Sequence, residues 1–363
     1  MNFYVITEPE YLENYWNFKY MAGLRSAVRE YKGKLVEIKF SDLDKITTLN
    51  DNARIPVILN GRSSDWIASL IPLVCDKGFH PILLASHNYT PQRGVSSLRF
   101  DFYGLYTSWF AYFTKCGFNN VALVGVSKNN VSDTLKCQAL TDYSKGYGKG
   151  KADIYYMDSS MQDCLEFFIQ NAKDYDVVLC PNDVVAIILK SMLRKIGFDG
   201  QLQIHSFWDS PLSKYIEHQD KLITLDYNEL GRQAIKVYDF LVKNPEIESV
   251  ATTVRVDMSN NLEPIKSGYV KPNENTFLQD ESVKEVYALE KLFSSLDEID
   301  LQILYGILNG EIYETIAERE NVSLGTVKYR VKNMLTLLNA TKREELIYLV
   351  SKYLQTELIN KSN

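Results

Sequence analysis

Apolar residues along the first three-quarters of the chain follow two alternating rhythms. Short apolar runs are separated by stretches in which apolar positions recur at spacings of three and four. The runs predict strands at Phe3–Thr7, Lys34–Phe40, Ile55–Leu59, Pro81–Ala85, Asn120–Val126, Ile154–Met157, Asp176–Cys180, Gln203–Phe207, Ile223–Leu225 and Thr252–Val256. The stretches between them predict helices at Tyr15–Tyr31, Asp65–Asp76, Tyr103–Lys115, Ser132–Tyr143, Met161–Ala172, Val184–Ile196 and Leu230–Lys243, with a further helix-like stretch from Pro211. Gly33, Gly117 and Gly197 stand where helix C-termini are expected, and Ser132 is placed as an N-cap. Strict alternation of strand and helix means parallel sheets covered by helices. About ten such strands exceed one doubly wound sheet, so two α/β lobes are expected, with a ligand cleft at the C-terminal ends of the strands.

The rhythm changes after Ser267–Asp280, a stretch holding Gly, Pro and Asn that reads as a domain boundary. From Ser282 to Ser295 the pattern is helical, and Val286, Leu289, Phe293 and Leu296 form a short seam. That seam packs on a neighbouring domain or forms a dimerising helix; the sequence leaves both open. Beyond it, Leu296, Ile299, Ile303, Leu304 and Ile307 predict one helix, stopped at Gly310. Tyr313–Arg319 is a short second helix with Ile312, Ile316 and Ala317 as its apolar positions, and Asn321-Val322-Ser323 is a turn. The third helix runs Ser323–Leu338, capped by Ser323, with Val327, Val331, Met334, Leu335 and Leu338 inward; Leu346, Ile347 and Val350 mark a fourth.

Composition narrows the class. A chain of 363 residues with 45% hydrophobic and 24% charged residues fits a folded protein of two or three domains. The start MNFYVITEPEYLENYW lacks the features of a secretory signal, and no apolar run approaches the roughly 20 residues that span a bilayer. Five cysteines, odd in number and without a CxxC pair, read as reduced thiols, and four histidines away from any Cys pair argue against zinc. A cytoplasmic protein with no membrane partner, no metal and no cofactor is expected. GxGxxG after the first strand, Walker A, GxSxG and HExxH are all missing. Gly146, Gly148 and Gly150 follow a helix and precede a strand, the reverse of a phosphate loop, and Glu8 and Glu10 are a poor match to a phosphoreceiver acidic cluster. The expectation is that the chain is not an enzyme.

The net charge of −6 is unevenly distributed. Asp297, Glu298, Asp300, Glu311, Glu314, Glu318 and Glu320 crowd the first two C-terminal helices, whereas Asn321 to Arg343 contains no acid and carries Lys328, Arg330, Lys332, Lys342 and Arg343. One face can therefore meet phosphate while the protein as a whole stays acidic.

Two resemblances add to this reading. The segment VVLCPND followed by VVAIILKSMLRKIG (Val177–Gly197), then IHSFWD, LITLDYNELGRQAI (Leu222–Ile235) and FTKCGFNNVALVG (Phe113–Gly125), resembles the effector-binding core of LacI-type regulators, a type I periplasmic-binding-protein fold. The likeness covers most of residues 1–268 and implies lobe one at about 1–117 and 224–248 and lobe two at about 118–223 and 249–272. The family's N-terminal DNA-binding headpiece is not expected here, since the sequence opens directly on the first predicted strand. Family ligand positions fall on Lys136, Asn182 and Trp208: Lys136 stands where many members have Arg, Asn182 keeps the family's Asn, and Trp208 replaces an Asp, with Asp209 following. By topology Glu8, Asn60, Arg62, His87 and Asp226, all just past strand ends, join them. Asn182 would serve equally as a helix cap and Trp208 as packing. The implied ligand is a small molecule such as a carbohydrate or derivative, although the departures argue against a simple hexose.

The C-terminal stretch, residues 296–363 after a connecting segment at 273–295, resembles the LuxR-type helix-turn-helix DNA-binding domain over about 60 residues. The matching positions are Leu296-Asp300-Leu304, Gly310, Thr315-Ile316-Ala317, Val322-Ser323, Thr326-Val327-Lys328 and Glu345-Leu346, with Asp300 and Thr315 departing from the family's Glu. The resemblance implies an all-α four-helix domain on double-stranded DNA, with Lys328, Tyr329 and Lys332 at base-reading positions and Ser323, Thr326, Arg330 and Thr315 on phosphates. The reading is a ligand-responsive, homodimeric transcription regulator. Its alternatives are a solute-binding module whose tail helices bind a protein and, more distantly, a sugar-acting enzyme.

Overall fold

The computed structural model describes residues 1–12, 15–45, 54–61, 63–84, 94–128, 130–146, 150–198, 202–207, 210–212, 215–216, 225–256 and 280–355. In chain order it runs β1 (Asn2–Thr7), α1 (Tyr15–Glu30), β2 (Lys34–Glu37), β3 (Ile55–Asn60), α2 (Ser64–Asp76), β4 (Phe79–Leu84), β5 (Ser96–Phe100) and α3 (Phe102–Lys115). Next come β6 (Val121–Val126), α4 (Val131–Gly146), β7 (Ala152–Tyr156), α5 (Met161–Gln170), β8 (Val177–Leu179), α6 (Asp183–Lys195), β9 (Gln203–His205), α7 (Tyr227–Lys243) and β10 (Ala251–Val254). Five helices close the chain: α8 (Glu281–Ser295), α9 (Glu298–Leu308), α10 (Tyr313–Arg319), α11 (Leu324–Leu337) and α12 (Arg343–Tyr353). Two compact units result, one from Met1–Gly117, Val126–Lys149 and Leu225–Asn275, the other from Phe118–Gly125, Gly150–Thr224 and Thr276–Asn363. No described helix is long and apolar enough to cross a membrane.

The first unit holds a six-stranded sheet in the order β10-β5-β4-β3-β1-β2, with parallel pairing throughout. Val57, Leu59, Ile67, Ile71, Val74 and Leu83 fill the layer between the sheet and α2. Helices α1 and α7 touch through backbone. A Cβ on Gly23 would stand 2.1 Å from the Tyr227 carbonyl oxygen, and one on Gly231 would stand 2.2 Å from the Gly23 carbonyl carbon, so only glycine fits at either position.

Four departures from the sequence pattern have physical causes. β5 was not expected, because Ser96-Ser97-Leu98-Arg99-Phe100 has a serine where an apolar residue would signal the core. Ser96 is fully buried all the same: its hydroxyl lies 2.8 Å from His80 Nε2 and accepts from the Val250 N–H at 2.9 Å. Burial, helped by Arg54, pulls the His80 pKa down to about 4, which keeps the ring neutral. Second, β10 pairs in register with β5 (Ala251 opposite Ser97, Val254 opposite Phe100), so this strand belongs to the first sheet and not to the second lobe. Third, α4 packs on α3 in the first unit, whereas 118–223 had been expected to lie together in lobe two. Fourth, Asn130, not Ser132, caps α4; its Oδ1 accepts from the Ser132 N–H at 2.9 Å. β2 also ends at Glu37, short of the expected Phe40, and a 3-10 turn at Phe40–Lys45 follows. No α-helix occupies the described residues near Pro211, and the strand expected at Ile223–Leu225 lies mostly outside the described residues.

The second unit combines a four-stranded sheet, β7-β6-β8-β9, with α5, α6 and all five C-terminal helices. One apolar core runs through it. Val178, Ile187 and Leu193 from the α/β part, Val286, Leu289 and Leu292 from α8, and Ile303, Val327, Val331 and Leu346 from α9, α11 and α12 belong to the same cluster. The α8 seam is therefore spent inside the protomer. Val286 and Leu289 are fully buried, and α8 packs on α5 and α6 as well as on α11 and α12. Polar ties support the apolar ones. Asp280 caps α8 through the Ser282 N–H at 3.0 Å and accepts from the Met161 N–H, at the start of α5, at 2.6 Å. Glu285 on α8 accepts from Lys352 Nζ at 2.6 Å and from the Tyr353 hydroxyl at 2.5 Å. Arg194 donates to the Tyr353 carbonyl at 3.0 Å, and Ser191 donates to that of Lys352. Ile299 and Ile312 are the exceptions to the expected apolar face, 37% and 61% exposed.

A core shared in this way makes the α/β part and the C-terminal helices one thermodynamic body. Leu289→Ala should cost about 2–5 kcal/mol. In denaturant titrations the α11 and β8 environments should shift together, with no separate early transition for the C-terminal helices.

Candidate nucleic-acid interface and ligand residues

The exposed face of α11 is shaped by what its other face must do. Val327, Val331 and Met334 are buried, which turns Lys328, Tyr329 and Lys332 outward, and Tyr329 is 65% exposed. The entry to the helix is fixed by local chemistry. Asn321 adopts a left-handed backbone (φ 52°) in the turn after α10, and Ser323 Oγ accepts from the Thr326 N–H at 3.0 Å while lying 2.8 Å from the Thr326 hydroxyl. Ser323 and Thr326 thus build the cap, and Thr315 sits exposed on α10.

The basic strip divides by residue type. Arg330 Nη1 donates to Asp297 Oδ2 at 2.8 Å and to Asp300 Oδ1 at 2.7 Å, gripping the capping box that starts α9. Its guanidinium pKa is raised by the hydrogen bonds to Asp300 and Asp297, and the Asp297 carboxyl is held below its usual value by the Asp300 N–H and by Arg330. Arg343 donates to the carbonyls of Ile307 and Glu311 at 3.1 and 2.7 Å and lies over the Tyr313 ring. Both arginines hold helices together, a job suited to their planar fork. Lys328 and Lys332 are exposed one helical turn apart, and neither has an ion-pair partner among the described residues. The phosphate role expected of Arg330 therefore competes with an ion pair already made.

The expected ligand residues fall in both units. In the first unit, Glu8 and Asn60 meet at the ends of β1 and β3. The Glu8 N–H donates to the Asn60 carbonyl at 2.9 Å, and Glu8 Oε2 accepts from the Ser63 N–H at 3.1 Å. Asn60 is 1% exposed; its Nδ2 donates to Asn17 Oδ1 at 2.6 Å, and its Oδ1 has no partner among the described residues. A buried amide oxygen left in that state costs about 1–3 kcal/mol unless something donates to it. Lys136 is occupied: Nζ lies 2.9 Å from Asp133 Oδ1, both side chains are almost fully buried, and Phe102 and Tyr106 face the ammonium at 4.9 and 5.9 Å. Asp226 caps α7 by accepting from the Glu229 N–H at 2.8 Å. In the second unit Asn182 caps α6, accepting from the Val185 N–H at 3.1 Å. Arg62, His87, Trp208 and Asp209 lie outside the described residues. Sequence reasoning missed Asn17 and Asp133. The signal for Asp133 was its i,i+3 spacing to Lys136; Asn17 offered only a buried amide on a helical face.

No family model matches the chain, and no curated protein matches it. Solved structures do match. The dimeric Lac repressor with an 11-residue C-terminal deletion aligns with a TM-score of 0.55 at 13% identity, covering 76% of this chain and 100% of that one. The LacI family transcriptional regulator CcpA from Weissella paramesenteroides with bound sucrose gives 0.53 at 18% identity, over 76% and 100%. The transcriptional regulator CelR in complex with cellobiose gives 0.54 at 14%, over 74% and 84%. The chain carries the α/β fold of LacI-type regulator cores. At these identities the likeness speaks to fold alone.

Arg330 and Lys328 should behave differently when removed. Arg330→Ala should lower unfolding stability by about 1 kcal/mol, the upper range for a partly exposed ion pair, whereas Lys328→Ala should leave it unchanged within about 0.5 kcal/mol. Parallel urea titrations of the two variants check this.

Proposed function

We propose that the chain is a ligand-responsive transcription regulator in which α11 is the DNA-reading helix of a LuxR-type head. The observation that carries this reading is the outward edge of α11. Lys328, Tyr329 and Lys332 project from a helix whose inner face is locked in the core, on the chain's acid-free basic stretch. A rigid helix with lysines one turn apart suits the major groove, where lysine donates to guanine O6 and N7, and Tyr329 offers an aromatic edge to a thymine methyl. Arg330 bridges Asp297 and Asp300 at the start of α9 and offsets one of their two charges. The protein acts on no substrate in this reading; it works in the cytoplasm as a homodimer, whose two heads would read half-sites about one helical turn apart.

The α/β core supplies the sensing part. Regulators of the same fold have been solved with sucrose and with cellobiose. In this chain the buried Asn60 oxygen beside Glu8, at the C-terminal edge of the first sheet, is the group best placed to accept a ligand hydroxyl. Asn182, Lys136 and Asp226 contribute by holding helices and a buried charge in place.

Two measurements test the proposal. Replacing Lys328 and Lys332 together by Ala should weaken duplex binding by about tenfold or more and reduce the slope of log affinity against log salt by about 1–2. Unchanged affinity and slope in fluorescence anisotropy would sink the DNA reading. A thermal-shift series with mono- and disaccharides should find a ligand that stabilises the wild type by about 2.7 kcal/mol at a hundredfold excess over Kd, and Asn60→Ala should abolish the shift. A shift that survives Asn60→Ala puts the ligand elsewhere.

A further inference from the structure

Within the second unit, α5, α6 and α12 leave a groove of about 940 Å³ between them, at the upper end of the range of about 300–1,000 Å³ typical of small-molecule sites. Ile169 from α5, Met192 and Ile196 from α6 and its end, and Ile347 from α12 give the groove an apolar strip, with Gln170, Ser191 and Ser351 beside it. Ile196 and Tyr348, both lining it, are 57% and 61% exposed, so the apolar surface continues to the mouth. Methionine in such a wall adapts to ligands of different shape.

The rim is basic. Lys195 has no carboxylate partner among the described residues. Arg194 has none either; one end of its guanidinium donates to the Tyr353 carbonyl at 3.0 Å, and no other hydrogen bond of the group is made among the described residues. Partial burial of the Arg194 guanidinium pulls its pKa below the usual value. Lys352, also on the rim, is already neutralised by Glu285; Glu166 accepts from Gln162 at 2.7 Å but keeps its charge, so Arg194 and Lys195 leave the rim with a net positive charge of one. An apolar strip beside a guanidinium and a lysine is complementary to a molecule with an apolar body and one anionic head.

We propose that this groove is a second effector site, separate from the sheet-edge residues of the first unit, and that it takes an amphipathic organic anion such as an alkyl carboxylate. The carboxylate sits on Arg194 and Lys195 and the alkyl body lies along Met192, Ile169 and Ile347. Because α5 and α6 form one wall and α12 another, the occupant bridges the α/β part to the C-terminal helices and tightens the joint between them.

The test uses the full chain with decanoate as the probe and acetate and decan-1-ol as controls. Calorimetry should show one decanoate bound per chain, with a raised Tm and no effect of acetate. Replacing Arg194 and Lys195 together by Gln should weaken decanoate more than tenfold and leave decan-1-ol unchanged. Met192→Trp, which fills the trough, should remove both; if that variant misfolds, the Gln pair, at exposed positions, still decides. No saturable decanoate binding, or an affinity unaffected by the Gln pair, overturns the proposal. So does sedimentation showing that Tyr348→Asp breaks a dimer, since the groove would then be covered by a second copy. None of these readouts involves DNA, so this site can fail without touching the reading of α11.

Discussion

The fusion of the C-terminal helices to the α/β part rests on burial of one helix from two sides. α8 carries a broad apolar stripe beside a polar one. Val283, Val286, Leu289 and Leu292 are all fully buried, and the Phe293 ring meets the Tyr215 ring in a tilted contact with centroids 4.7 Å apart. The helix keeps Glu281, Lys284 and Lys291 in solvent and packs its remaining faces on α5 and α6 on one side and on the terminal helices on the other. The orientation of α11 follows from that constraint, since the face turned to α8 and α9 is fixed by packing and the opposite face is what remains for a partner.

Charge was then sorted by geometry. The basic stretch of the sequence is uniform on paper, but arginines and lysines take different work in the structure. Arg330 and Arg343 reach acidic or carbonyl groups on α9 and its flanks and tie the helices together, whereas Lys328 and Lys332 are exposed and pair with no carboxylate among the described residues. Desolvating a guanidinium costs less when a fork of donors can all be used. A lysine on the outer edge keeps its hydration until a phosphate or a base edge displaces it.

Much of the fold was legible. The alternating rhythm located nine of the ten described strands or their cores, since one side-chain period belongs to strands and another to helices. The terminal helices were read within a residue or two because Ser323, Gly310 and the apolar stripe agree with one another. What the sequence hid was nonlocal. β5 was invisible because its core-facing Ser96 is satisfied by His80, a residue 16 positions away. β10 could be seen as a strand, but nothing local says which sheet receives it. For the candidate site the outcome is similar. The outward residues of α11 were readable from the stripe they interrupt, and the cap role of Asn182 was readable from its place before an apolar helix. The clamp of Arg330 on residues 30 and 33 positions back was not, and neither was the groove whose walls come from α5, α6 and α12.

The pairing of β10 with β5 carries a consequence for synthesis. The first sheet is finished by a strand at Ala251–Val254, and α7, which backs α1 through the Gly23–Gly231 contact, begins only at Tyr227. A ribosome making about 5–20 residues per second needs on the order of ten seconds to travel from β5 to β10. Throughout that interval the N-terminal strands exist without their edge partner, and for most of it without α7. The edge of β5, with Ser96 and His80 still lacking the Val250 amide, is open to pairing with another nascent chain. The discontinuity of the first unit thus makes the quality of folding depend on elongation rate, and codon choice between β5 and β10 becomes a determinant of yield.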